Sequence, residues 1–181
     1  MTSIDNVVAQ VTSNMGSLTN NCHKDAANKV DFAQKCGLTS LTERGSFAAL
    51  VATHDQLPDI VIKVVPNYDK YIDFAQDMLD GLLDNPMFPV VYSVTRMDTH
   101  TVVLVERITG DADSGTDLDR IDHLDGDMSL LDDSIEWDFL DMLHHCCARH
   151  DALPDLHAGN FMKRADGTLV CIDPIFANAR G

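Results

Sequence analysis

Hydrophobic positions along this chain change their period several times. Over residues 1–37 they recur at helical spacing: Val7, Val8 and Val11 form a short apolar stripe, residues 20–36 carry a second, more polar one, and Gly37 stands where that helix should end. From Leu38 the period shortens. Residues 38–44, 47–53 and 60–65 are short apolar or β-branched runs separated by Gly45-Ser46 and by residues 54–59, which predicts three antiparallel strands. Residues 68–83 return to a helical period, with Ile72, Ala75, Leu79, Leu82 and Leu83 on one face. Asp73, Asp77, Asp80 and Asp84 fall on the other, which reads as a solvated face. Residues 88–97 and 101–108 alternate again and are joined by Asp98-Thr99-His100, a hairpin that completes a five-stranded antiparallel sheet with one helix.

The second half is less regular. Residues 109–134 hold nine aspartates against the single Arg120, the composition of a mobile connector or a short acidic insertion. No register of residues 117–127 sets acids, Gly and Glu at the places an EF-hand loop needs, so calcium is not expected. Residues 135–150 predict a helix whose apolar face holds Ile135, Phe139, Met142, Leu143 and Cys146. In His144-His145-Cys146-Cys147 successive side chains point apart. The one i, i+4 pair is Cys146 with His150, and two ligands do not make a structural zinc site.

After Pro154 comes Asp155-Leu156-His157-Ala158-Gly159-Asn160, then a predicted hairpin: residues 161–163 as one strand, Ala165-Asp166-Gly167 as the turn, residues 168–172 as the return. A hairpin brings its two ends together. Asn160 before the first strand and Asp173 after the second should therefore lie side by side, with Asp155 just upstream. Two carboxylates and an amide can hold a hard divalent cation such as Mg²⁺ through oxygen, and the carboxylate not so used can receive a proton.

Composition narrows the classes of partner. The 181 residues, 45% of them hydrophobic, suffice for one compact domain or a tight pair of lobes. A formal charge of −16, from 29 acids and 13 bases, argues against nucleic acid and anionic lipid as partners. With no basic-plus-apolar leader and no apolar run long enough to span a bilayer, the expectation is a soluble, untargeted chain without a membrane partner. Five cysteines without Cys-x-x-Cys spacing read as reduced thiols. One residue breaks a buried pattern: Lys63 interrupts Ile60-Val61-Ile62-Lys63-Val64-Val65. A cation there costs free energy unless an anion meets it or its stem reaches solvent.

Asp-x-x-x-x-Asn followed by a short hairpin and a second Asp resembles the catalytic loop and metal-binding aspartate of the protein-kinase-like superfamily. Asp155-Leu156-His157-Ala158-Gly159-Asn160 is also similar to the corresponding loop of aminoglycoside and choline kinases, which carry His at the third place. Taken with Gly45-Ser46-Phe47-Ala48-Ala49, Val61-Ile62-Lys63-Val64, Pro89-Val90-Val91-Tyr92, Thr101-Val102-Val103-Leu104 and Ile172-Asp173-Pro174, the chain resembles, from about Gly45 to Phe176, the early serine/threonine protein kinases of autographivirus podophages.

That resemblance implies an α+β, protein-kinase-like fold in which residues 1–37 are a helical extension, 38–108 an N-terminal lobe with the five-stranded sheet, 109–134 an acidic connector and 135–181 a reduced helical C-terminal lobe carrying the catalytic hairpin. It implies ATP and Mg²⁺ as cofactors. Lys63 would hold the α and β phosphates, Gly45, Ser46 and Phe47 would cover them, and Glu106-Arg107-Ile108 would meet the adenine through backbone groups of Glu106 and Ile108. Asn160 and Asp173 would hold the metal, and Asp155 would act on the acceptor hydroxyl. Its partners would be host proteins in the host cell cytoplasm, and a reduced C-terminal lobe leaves room for a homo-oligomer in which two chains complete each other. The chain departs from the family pattern at three places. Glu43 and Ala48 replace the outer glycines of the phosphate loop, the helix after Lys63 has no glutamate, so that Asp69, Asp73 or Asp77 would have to serve, and no activation segment follows Asp173. Two other classes stay open: a small-molecule kinase of the aminoglycoside type, and a kinase-like binding protein that blocks a basic host factor.

Overall fold

The computed structural model describes residues 3–18, 26–41, 50–112, 115–125 and 134–177. Among them are five α-helices, α1 (Ser3–Asn14), α2 (Ala26–Lys35), α3 (Tyr71–Leu79), α4 (Gly115–Asp125) and α5 (Ser134–His150). Five strands belong to one sheet: β1 (Thr39–Ser40), β2 (Leu50–His54), β3 (Leu57–Pro66), β4 (Val91–Arg96) and β5 (His100–Glu106). After them come β6 (Gly110–Asp111), β7 (Ala152–Pro154), β8 (Phe161–Lys163), β9 (Leu169–Cys171) and β10 (Ile175–Ala177). The chain falls into two units, Met1–Ile72 with Val91–Arg107 and Asp73–Val90 with Ile108–Gly181.

The first unit is a five-stranded antiparallel sheet in the order β1-β2-β3-β5-β4. Strand alternation decides its faces. Leu50, Ala52, Ile60, Ile62, Val64, Val102 and Leu104 form one buried cluster with Val7 and Val11 of α1 and Phe32 and Ala33 of α2. Fully burying each large side chain is worth about 1.5–3 kcal/mol over leaving it exposed, which is why two weakly amphipathic helices fold here at all. On β3, Lys63 and Val65 belong to the opposite set, and Val65 packs with Ile72. Gly37 ends α2 as expected, and Leu38 N–H donates to Ala33 O at 2.8 Å. Of the first strand expected at residues 38–44, β1 covers Thr39–Ser40 while residues 42–44 lie outside the described residues, and the loop expected at residues 54–59 is instead a tight turn. Gln56 N–H donates to His54 Nδ1 at 3.1 Å, so β3 starts at Leu57 and runs ten residues.

His100, opposite Pro66 in the β3–β5 ladder, is 1% exposed, and its Nδ1 lies 2.9 Å from Thr99 Oγ1. Burial pushes its pKa below the ordinary 6.5. Below that ordinary value the unfolded chain therefore binds a proton that the folded one refuses. The stabilisation is complete above 6.5 and declines as pH falls through it toward the lower folded value. Melting curves between about pH 7.5 and about pH 5 should show a larger acid loss for the wild type than for His100→Gln, which removes the titrating ring. Equal losses would mean that this histidine does not stay neutral in the fold.

In the second unit β6, β8 and β9 form a three-stranded antiparallel sheet with β8 in the middle, and β7 pairs antiparallel with β10. Helix α3 ends sooner than residues 68–83 suggested. Gly81 adopts φ +72°, Gly81 N–H donates to Met78 O, and Leu82 N–H reaches back to Asp77 O at 2.9 Å, a Schellman stop that only a residue tolerant of positive φ makes cheaply. Leu79 and Leu82 are consequently exposed and do not join the apolar face. Asp77, read as part of a solvated face, is 5% exposed, with Arg149 Nη1 at 2.5 Å and His150 Nε2 at 2.9 Å from its Oδ2.

Residues 109–134 are not a structureless connector, since they contain β6 and α4. Asp117 on α4 is buried against the ammonium of Lys163, and Arg120 donates through Nε to Glu136 Oε1 at 2.7 Å. That ion pair explains the rotation of α5. Its buried stripe is Glu136, Phe139, Leu140, Leu143, Cys146 and Cys147, while Ile135 is 42% exposed and Met142 is half-buried. Phe88 lies between Phe74 at 5.6 Å and Phe139 at 4.8 Å between ring centroids. Among the described residues Cys36, Cys146, Cys147 and Cys171 are buried free thiols. Burial pushes Cys36 and Cys147 up to about 11, and burial together with the Asp77 carboxylate pushes Cys146 up to about 12. None of these three is a nucleophile near neutral pH. No helix among the described residues is long and apolar enough to cross a membrane.

Candidate functional site

The site is built from the loop between β7 and β10. Pairing of Pro154 with Ile175, Leu153 with Phe176 and Ala152 with Ala177 closes the base of this loop, and Asp155 N–H adds a further bond to Pro174 O at 2.8 Å. Within it, residues 158–160 make one 3-10 turn. His157 caps that turn: its Nδ1 accepts the Gly159 N–H at 3.1 Å, and its carbonyl accepts the Asn160 N–H at 2.9 Å.

Asn160 is buried, and its Nδ2 donates to the Asp155 carbonyl at 3.0 Å. The donor half of the amide is thus spent on holding the loop, and what Asn160 has to offer a cation is its Oδ1. Asp155 keeps its carboxylate one-third exposed, with His157 Nε2 at 3.6 Å from Oδ1. That separation is too long for a hydrogen bond and, at this exposure, worth little as an ion pair, so His157 acts mainly as a brace through Nδ1.

The hairpin forms where the sequence placed it. Phe161 faces Cys171, Met162 faces Val170 and Lys163 faces Leu169. Its turn is closed by Arg164 N–H to Thr168 O and Gly167 N–H to Arg164 O, with Gly167 at φ +92°. The Asp166 carboxylate accepts the Thr168 N–H at 2.9 Å, which also holds its pKa below the ordinary value. One rung beyond the strands, Ile172 N–H donates to Asn160 O at 2.7 Å. The ladder therefore ends with Asn160 opposite the residue before Asp173, and Asp155 is tied to both flanks, to Asn160 through its carbonyl and to Pro174 through its N–H. Backbone register brings the main chain at residues 155, 160 and 172–174 together. Two carboxylates and an amide oxygen suit Mg²⁺, which takes hard oxygen ligands and keeps room for phosphate and water.

A support missed in the sequence lies at residues 85–88. Asn85 Oδ1 accepts the Met87 N–H while its Nδ2 donates to Ile135 O, Met87 O accepts the Cys171 N–H, and Arg164 donates to the carbonyls of Pro86 and Phe88. Asn-Pro after an amphipathic run was the available signal, since it marks a turn whose backbone groups need partners.

The remaining predicted residues belong to the first unit or to the segment leaving it. Lys63 is 8% exposed on β3, between Val51 and Val103 on the neighbouring strands, and its ammonium stands 3.7 Å above the ring of Tyr71. A desolvated cation over a tyrosine face gains up to about 2 kcal/mol, which offsets part of its burial cost. Of the three aspartates considered for it, Asp69 accepts the Tyr71 N–H at the start of α3, Asp77 is committed to Arg149 and His150, and Asp73 lies 4.0 Å from His150 Nδ1. Glu106 ends β5 opposite Ile60, Arg107 N–H donates to Asp59 O, and Ile108 is buried. Gly45, Ser46 and Phe47 lie outside the described residues. No protein-family model matches the chain, and no curated protein matches it.

Proposed function

We propose that the chain is an ATP-dependent serine/threonine protein kinase with a protein-kinase-like fold, of the podophage early type, acting on host proteins in the host cell cytoplasm. The observation that carries this reading is the register of the 161–171 hairpin. It sets Asn160 beside Ile172 and Asp173 while the backbone of Asp155 closes the loop on both sides. Asn160 and Asp173 would hold Mg²⁺, which would offset the charge that develops on the nucleotide phosphates.

Asp155, with its carboxylate partly open to solvent, orients the acceptor hydroxyl and takes its proton. The acceptor oxygen bonds to the γ phosphorus as the bond from that phosphorus to the β–γ bridging oxygen breaks, leaving phospho-serine or phospho-threonine and ADP. Lys63, whose ammonium stands over the Tyr71 ring, would contribute a positive charge toward the α and β phosphates. The gain from such an arrangement is mostly positioning and charge stabilisation.

Glu43 and Ala48 in place of the outer glycines, and a helix after Lys63 without glutamate, favour a second reading, in which the chain is a kinase-like binding protein that does not turn over nucleotide. A chain of charge −16 suits a protein that holds a basic partner. Calorimetry with Mg-ATP separates the two. The kinase reading expects saturable binding that Lys63→Ala weakens by at least about tenfold, the cost of losing a charge-assisted contact. No heat with the wild-type chain would leave the second reading in possession.

A further inference from the structure

The pair Cys146 and His150, one turn apart on α5, gains a third member from another helix. Asp77 of α3 joins them, and ligand atoms of the three all lie within 4.8 Å of one another. We propose that Asp77, Cys146 and His150 form a binding site for Zn²⁺ or a similar borderline-soft divalent ion, separate from the Asp155, Asn160 and Asp173 cluster and independent of whether the chain transfers phosphate.

The donor set selects the ion. A thiolate, an imidazole and a carboxylate match the sulfur, nitrogen and oxygen ligands of tetrahedral zinc, whereas Mg²⁺ and Ca²⁺ take oxygen and would leave Cys146 and His150 unused. Bond lengths of about 2.0–2.3 Å around a tetrahedral ion put its ligand atoms about 3.3–3.6 Å apart, so the three side chains reach an ion by shifts well within their rotamer freedom. A carboxylate also stands near the far side of His150. Its Nε2 faces Asp77 at 2.9 Å, and its Nδ1 is 4.0 Å from Asp73, one turn earlier on α3, a gap that a small side-chain shift would close to a hydrogen bond. A carboxylate behind the far nitrogen of a liganding histidine is the usual outer partner in zinc sites.

Asp77 and Cys146 are buried, while the His150 side chain is 21% exposed and gives the ion a path from solvent and a place for water as fourth ligand. Arg149 now occupies the Asp77 carboxylate, but its side chain is 44% exposed and can withdraw into water as the ion takes its place. Cys146 binds as the thiolate, and its thiol proton passes to solvent, one proton for each ion bound. The result is an ion that pins the 73–79 part of α3 to the end of α5.

The test uses the full chain, freed of metal by chelation, with Co²⁺ and Zn²⁺ alone as probes. The expected result is saturable uptake of one Co²⁺ per chain with thiolate-to-cobalt charge-transfer absorption. Zn²⁺ should bleach that absorption by displacement, and an excess of Mg²⁺ should leave it unchanged. Cys146→Ser should abolish the band. His150→Gln, at the partly exposed last residue of α5 and little risk to folding, should weaken uptake at least about tenfold. Absence of a saturable band in the wild type, or a band of unchanged affinity in both variants, would overturn the site.

Discussion

Replacing Asp155 with alanine should lower phosphate incorporation into host proteins by about 100- to 10,000-fold, the range for removing a general base, while leaving the loop in place. The second half of that expectation follows from how Asp155 is held. Its bonds to Pro174 and from Asn160 use its backbone N–H and carbonyl and do not involve its carboxylate. The measurement is labelled ATP with a host lysate, wild type against variant, alongside circular dichroism to confirm the fold. Undiminished labelling would remove Asp155 from the reaction, and loss of both labelling and fold would mean that its side chain supports structure instead.

Phe139→Ala is the second large expectation, a loss of about 3–5 kcal/mol in the unfolding of the second unit. Phe139 is fully buried and its ring meets Phe88, whose carbonyl and that of Pro86 accept from Arg164 at the hairpin turn. Cutting the ring away leaves a cavity under the 85–88 segment, so the hairpin that aligns Asn160 with Asp173 loses its footing together with the core. Urea unfolding followed by fluorescence and by circular dichroism checks it. A cost below about 1 kcal/mol would mean that neighbouring side chains close the void.

What could be read before any coordinates depended on whether a feature was local. The hairpin was legible because Asp166-Gly167 between apolar runs specifies a turn, and turn length specifies the pairing of every residue up to Asn160 and Asp173. The five strands were legible from alternation, with errors at their ends, one of them where a short-range side-chain bond, Gln56 N–H to His54 Nδ1, replaced a loop with a turn.

Pattern singled out the buried Lys63 but not the buried acids. Asp77 read as part of a solvated face, nothing marked Asp117 or Glu136 as buried, and each is met by a cation from a distant stretch, Arg149, Lys163 or Arg120. No windowed count of apolar residues can detect a partner 16 to 72 positions away. The same blindness hid the third member of the Cys146 and His150 pair and rotated the face assigned to α5. The early stop of α3 was in the sequence all along, in Gly81, but the leucines beyond it outweighed the glycine.

The ladder between β7 and β10 has a consequence for how this region can vary. Twenty residues, 155 through 174, leave and return through one hydrogen-bonded pair of strands, and beyond it they are anchored at β6, at residues 86–88 and at Asp117. Insertions at the exposed 165–167 tip would merely lengthen a spur. An insertion of one residue between 155 and 160 would break the bonds that tie Asn160 to the Asp155 carbonyl and to Ile172 N–H.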